Sequence, residues 1–332
     1  MIGKKAMDKA LQIQREVQEI LGTDEVYLVG GSVRDIIMGH EAHDYDFTTS
    51  MIPEDMIEKI KLAGRHAYTI GEKFGTIGFK VPIEDKMDLT WLGVGDLSKT
   101  KYEYVEVTTF RSEVYTGKSR KPEVQFVPSL DEDLARRDFT MNAMVLRSDG
   151  SIYDPYGGRL DIYAKQIKTV GLPKDRIIED PLRMFRAARF AARYNFKIDP
   201  NFTGKARQLA DRIFDVSVER WVMELDKLLT SNYVYSGIEE LHKMGVLQRV
   251  LPELYFDDND MQKDVYTNPF DCHGDMKTYE SADIAWKFLL SNVHTPDSIK
   301  ESTRTRRYIS RGIISRLKFS NDRTKIILGD KK

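Results

Sequence analysis

Apolar residues recur at three- and four-residue steps across 4–21, at Met7, Ala10, Leu11, Ile13, Val17, Ile20 and Leu21, and this period predicts an amphipathic helix. The period then shortens. EVYLVG at 25–30 reads as a short strand, Gly30 and Gly31 lead into a one-to-two-turn helix in SVRDIIMG, and DYDFTTS at 44–50 alternates as a half-buried strand. TIGFKV (76–81), MDLTWL (87–92) and YEYVEVTTF (102–110) are further strands. The interval 111–130 is polar, carries Gly117, Pro122 and Pro128, and reads as a loop. Strand character ends at the turn cluster Asp154-Pro155-Tyr156-Gly157-Gly158, the first expected domain boundary.

Helical spacing returns over 180–194, 199–211, 217–230 and 235–244, with Asp, Asn or Ser near the starts. The order predicts a mixed domain of strands and helices followed by an all-helical region. No internal repeat is visible, and 255–280 is polar without a pattern.

A chain of 332 residues is long enough for two or three domains and a large core. Its single cysteine, Cys272, excludes an intramolecular disulfide. No apolar run approaches the roughly 18–20 residues that cross a bilayer, and no continuous apolar stretch marks a secretory leader. These features predict a soluble, cytoplasmic protein with no membrane partner. The net charge of −1 hides a segregation: 251–283 holds nine acids and two lysines, whereas 301–332 holds ten Lys or Arg and three acids. Such asymmetry either pairs the two windows with each other or gives the second a polyanion to bind.

The chemistry concentrates near the start. A strand running into Gly30-Gly31-Ser32 and a helix presents backbone N–H groups without Cβ obstruction, an arrangement that suits phosphate oxygens. On the next strand Asp44 and Asp46 share one face, while Tyr45 and Phe47 point to the core. Two carboxylates held side by side repel unless a cation joins them, and Mg²⁺ takes such oxygen ligands together with phosphate. Asp88, Glu103 and Glu106 are equally available as a third carboxylate.

These motifs resemble the polymerase-β-type nucleotidyltransferase superfamily, and within it the class II tRNA nucleotidyltransferases (CCA-adding enzymes) and bacterial poly(A) polymerases. The resemblance rests on Gly30, Gly31, Val33, Arg34 and Asp35, on the pair Asp44 and Asp46, and on VEVTTFR at 105–111, which makes Glu106 the third carboxylate. It implies an α+β chain: a catalytic head at 1–153, a helical neck at 154–232 that selects nucleotides, and a helical, RNA-binding body at 233–332. RRDFTMNA at 136–143 resembles the ribose-reading motif, with Arg137 and Asp138 on sugar and phosphate. DPYGG resembles the hinge between head and neck. EDPLRMFRAAR at 179–189 resembles the base-selecting motif, which maps to Asp180 and Arg183.

Arg183, Arg186, Arg189 and Arg193 fall within an arc of about 120° on one helix face. No acid lies among them, so a phosphate chain or RNA backbone would relieve their repulsion. Asp180 before Pro181 also suits an N-cap, which competes with base reading. Arg304, Arg306, Arg307, Arg311 and Arg316 are the expected RNA contacts. The lone Cys272-His273 pair reads as structural.

The resemblance implies addition of CCA to the 3′ end of tRNA from CTP and ATP. Asp44, Asp46 and Glu106 would bind one Mg²⁺, Asp44 and Asp46 a second, and Gly30, Gly31, Ser32 and Arg34 the phosphates. Poly(A) synthesis and CC- or A-addition alone are the near alternatives. A catalytically inactive RNA-binding protein is the alternative of another class, and the intact carboxylates count against it. The oligomeric state is not readable from the sequence.

Overall fold

The computed structural model describes residues 3–42, 44–87, 97–114, 123–127, 129–252, 281–291 and 312–328. The chain forms two compact units, Met1–Ala164 and Lys165–Lys332.

The first unit begins with α1 (Lys4–Leu21), bounded as its period predicts and burying Ala6, Ala10, Ile13, Val17 and Leu21. Gly22, at φ +68°, ends it with an N–H donated to the Gln18 carbonyl. In chain order come β1 (Val26–Val29), α2 (Gly31–Ile37), β2 (Tyr45–Thr49) and α3 (Pro53–Leu62), then β3 (Thr76–Met87), β4 (Leu97–Thr109), β5 (Arg111–Val114) and β6 (Glu123–Phe126). The unit continues with α4 (Leu130–Ala135), β7 (Val145–Leu146), β8 (Ile152–Tyr153) and α5 (Gly158–Tyr163). Six strands make one mixed sheet in the order β3-β4-β2-β1-β7-β8, while β5 and β6 pair separately inside the interval expected to be a loop.

Strands β3 and β4 run past their expected ends, because polar residues continue the backbone register from Glu84↔Thr100 to Lys86↔Ser98 before it closes at Met87↔Leu97. An apolar pattern cannot reveal such pairing. MDLTWL, apart from Met87, and Asp88 within it lie outside the described residues, as do 115–122 of the expected loop.

One face of the sheet is a core of Tyr45, Phe47, Ile77, Phe79, Val81, Ile83, Val105 and Val107, all nearly inaccessible. Alpha-helix α1 packs on β1 and β3. The alternate residues of β2, β3 and β4 make the other face, and the carboxylates stand there.

The unit ends later than the expected boundary at 153. Helix α5 is fastened to the head: a Cβ on Gly158 would lie 2.2 Å from the Thr140 carbonyl oxygen, and the Thr140 hydroxyl donates to Asp161 at 2.7 Å. Within DPYGG, Asp154 accepts the N–H groups of Gly158 and Arg159, and Gly157 takes φ +73°. This turn caps a helix of the head.

The second unit contains α6 (Pro173–Glu179), α7 (Arg183–Tyr194), α8 (Pro200–Gln208), α9 (Val218–Leu229), α10 (Val234–Lys243), α11 (Leu247–Val250) and α12 (Ala282–Ser291), with further helix over 312–316 and Asn321–Leu328. It is not wholly helical, since Gln166–Ile167 and Lys197–Ile198 pair as short parallel strands. The helix expected from 199 to 211 stops at Gln208 and resumes as a tighter turn over Ala210–Asp215. Helix α10 lies close on α7, where a Cβ on Gly237 would meet the Ala188 carbonyl at 2.8 Å. Among the described residues no helix is long and apolar enough to cross a membrane.

Candidate active site

Parallel pairing of β2 with β4 sets Tyr45 opposite Val105, Asp46 opposite Glu106 and Phe47 opposite Val107. The apolar partners are buried, so Asp46 and Glu106 come together on the accessible face with Asp44 two residues before. Water reaches Asp46, but protein surrounds much of it. Burial first, then the charges of Glu106 and Asp44, push its pKa up to about 6, with Arg137 pulling the other way. Glu103 takes the opposite face and pairs with Lys9 of α1 at 2.8 Å. The register therefore selects Glu106 over Glu103.

Ser32 holds this strand in place. Its hydroxyl donates to the Asp44 carbonyl at 2.6 Å and faces the Asp46 N–H at 3.5 Å, so its hydrogen bonds go to the backbone of the acidic strand. Gly30 sits at φ +72°, open to glycine, and a Cβ there would lie 3.3 Å from Nη1 of Arg137. The Arg137 guanidinium thus lies over the glycine turn and near Asp46.

Asp133, fully buried, anchors that guanidinium. It accepts from Arg137 Nη2 at 2.9 Å and from Arg136 Nη2 at 2.7 Å. Burial would raise its pKa, but the two arginines outweigh burial and hold it below the ordinary carboxylate value.

Arg34, expected at the phosphates, has protein partners. Its side chain is buried, with Nε on Asp35 at 2.9 Å and Nη1 on the Asn142 side-chain oxygen at 2.6 Å. Asn142 donates in turn to Asp138 at 3.0 Å, and Asp138 also accepts the Phe139 N–H. Arg34 and Asp138 therefore tie the glycine turn to RRDFTMNA, and both guanidiniums border the turn: a Cβ on Gly31 would lie 3.2 Å from Nη2 of Arg34, as one on Gly30 would lie 3.3 Å from Nη1 of Arg137. Neither Asp133 nor Asn142 is marked in the sequence as part of the site, although Asp133 and Arg137 stand four residues apart across the end of α4, within reach of each other.

In the second unit the arginine stripe has protein partners, which also offset its repulsion. Arg183 binds Glu179 at 2.6 Å and the Arg176 carbonyl at 2.7 Å. Arg189 meets Glu224 of α9 at 2.7 Å, Arg186 meets the same carboxylate at 3.7 Å, and both lie on the Phe190 ring. The missing acids come from the preceding helix and from a distant one, which helix-face arithmetic on one segment cannot find. Asp180 accepts the Leu182 N–H through one oxygen at 3.1 Å, and its other oxygen pairs with Arg220 at 2.8 Å.

Arg304, Arg306, Arg307 and Arg311 lie outside the described residues, as does Cys272-His273. Arg316 donates to the Val250 carbonyl at 3.1 Å. Arg323, in the basic window, pairs with Asp226 at 3.0 Å and with Asp283, in the acidic one, at 2.5 Å. The two windows meet there.

Among the described residues no three His, Cys, Asp or Glu side chains stand together ready to hold a metal ion. The donor set nevertheless fits Mg²⁺: three carboxylates share one face, two of them in direct register, and burial followed by their repulsion raises Asp46.

Residues 26–168 match the family model described as the poly A polymerase head domain, and 195–257 match that of a probable RNA and SrmB-binding site of polymerase A. The CCA-adding enzyme of Levilactobacillus brevis is 41% identical over 225 residues, 68% of this chain and 51% of that protein. The chain spans about half the length of that relative. The CCA-adding enzyme of Bacillus stearothermophilus, solved in complex with CTP, superposes with a TM-score of 0.69 at 28% identity, covering 98% of this chain and 68% of that one. A tRNA nucleotidyltransferase solved with a primer tRNA and an incoming ATP analog gives 0.58 at 25% identity, covering 92% and 84%.

Proposed function

We propose that this chain, which belongs to the family joining the poly(A) polymerase head domain to an RNA-binding domain and including the CCA-adding enzymes, adds CCA to the 3′ end of tRNA from CTP and ATP. The observation that carries the reading is the register of Asp46 with Glu106, beside Asp44, on the accessible face of the sheet.

Asp44, Asp46 and Glu106 would hold two Mg²⁺ ions, which when bound lower the pKa of an RNA 3′-hydroxyl and neutralise a leaving pyrophosphate. The protein's own groups do the positioning. Arg137, fixed by Asp133 over Gly30, meets the triphosphate, and the N–H groups of Gly30 and Gly31 have no Cβ in front of them. Ser32 keeps the acidic strand aligned with that turn. In the second unit Asp180 reads the base by exchanging Arg220, a half-exposed partner, for it. Arg183, buried on Glu179, orients that segment. The division into head, neck and body at 153 and 232 belongs to the same reading, as does work in the cytoplasm.

Incubation with tRNA lacking its 3′ end and with each labelled nucleotide separately tests this. CTP incorporated twice and ATP once is the expected result. The family description also favours a second reading, poly(A) synthesis, in which ATP alone would be added repeatedly without CTP.

A further inference from the structure

The accessible face that carries the carboxylates also carries an aromatic group that the reaction does not use. Tyr102 and Tyr104 precede Glu106 at steps of two on β4, so all three share that face. Tyr104 is 45% exposed and Tyr102 55%, whereas the core-side neighbours Val105 and Val107 are fully buried. Large rings left in water on an ordered strand need a reason.

The Tyr104 ring is held in one place. Gly78 of β3 is the register partner of Glu106, and a Cβ there would lie 2.0 Å from the Tyr104 hydroxyl oxygen. The ring therefore lies across the space that the missing side chain leaves. Its hydroxyl donates to Glu106 at 3.3 Å. Tyr68 packs edge-on against it with centroids 5.7 Å apart, His66 packs on Tyr68 at 4.7 Å, and Tyr68 exchanges both backbone hydrogen bonds with Gly78. Cations flank the group: Arg65 lies 5.7 Å over Tyr102, and exposed Lys80 is the register partner of Tyr104.

A braced, exposed ring among cations is the chemistry of a stacking platform for single-stranded nucleic acid, whose bases offer a π-face regardless of sequence. Two residues along a strand are about 7 Å. A ribose whose hydroxyl reaches Glu106 therefore brings its base to Tyr104. We infer that Tyr104, braced by Tyr68 over Gly78, is a stacking site for an unpaired base at the 3′ end of the RNA, with Lys80 and Arg65 on its phosphates.

The inference rests on the nucleotidyltransferase reading, and its test separates the two. Binding of tRNA lacking its 3′ end to the full chain is measured for wild type, Tyr104→Ala and Tyr104→Phe, and wild type is also tested with the same RNA made abasic at its last nucleotide. Stacking predicts a Kd about tenfold higher for Tyr104→Ala, little change for Tyr104→Phe, which keeps the ring, and a comparable loss for the abasic RNA. CTP affinity should hold in all three proteins. Wild-type extension of tRNA together with equal affinity for intact and abasic RNA would overturn the platform alone, and that comparison does not depend on any variant folding. Failure of wild type to bind or extend tRNA would overturn both readings.

Discussion

Asp46 and Glu106 face each other across two parallel strands, and the second carboxylate helps hold the first near pH 6. Without metal the folded protein binds a proton at Asp46 that the unfolded chain, with an ordinary aspartate, has already lost. Stability from this group is therefore full below about pH 4 and falls as pH rises through about 6. Asp46→Asn should match wild type in acid and melt higher than wild type above pH 6, while nucleotide transfer is abolished. Thermal melts in EDTA across pH 4–8, beside an incorporation assay, check both. Wild-type incorporation by Asp46→Ala would sink the mechanism.

Asp133 carries the opposite sign. Its pKa lies below the ordinary value, so its contribution is present above about pH 4 and is lost as pH falls through the lowered value. Asp133→Asn leaves Arg136 and Arg137 without their buried partner and should cost about 3 kcal/mol at neutral pH, with a smaller deficit in acid. Urea unfolding at pH 7 and pH 3 measures this. The KM for CTP should also rise, since Arg137 loses the anchor that sets it over Gly30.

At Asp180 two roles make different predictions. Asp180→Ala removes one backbone acceptor and one ion pair, for a cost of about 1 kcal/mol. A base-reading carboxylate predicts in addition that GTP and UTP enter more often. A lower melting temperature with unchanged nucleotide preference would leave only the capping role.

The basic window gives a salt test. Neutralising Arg304, Arg306 and Arg307 together should weaken tRNA binding and reduce the slope of log affinity against log salt by roughly one per arginine, with CTP affinity little changed. If affinity and slope both stay as they are, the window serves its acidic counterpart, as Arg323 already does with Asp283.

Much of the head was legible because its signals are local. The alternation in DYDFTTS states which side chains of β2 face water, and the long period of 4–21 states where α1 ends. Glu106 needed the family resemblance, since only strand pairing distinguishes it from Glu103, and pairing is a long-range fact. The same limit hid the partners of Arg34 and Arg189: Asn142 and Glu224 are far away in sequence, and no local pattern reveals that these arginines meet them. That the first compact unit runs on to Ala164 is not legible in the sequence, because a turn-rich motif says that the chain bends, not which body the following helix joins.

The pairing of β3 with β4 runs unbroken from Thr76↔Thr108 to Met87↔Leu97. A slip of one residue on β4 would turn Glu106 into the core and bring Val105 and Val107 out. Burying the carboxylate and exposing two valines would each cost several kcal/mol. The long hairpin thus acts as a ruler for the acids, and the oily side of the sheet proofreads the arrangement of its polar side. Substitutions on the face opposite the carboxylates, at Phe79 or Val107, should damage alignment before they abolish folding.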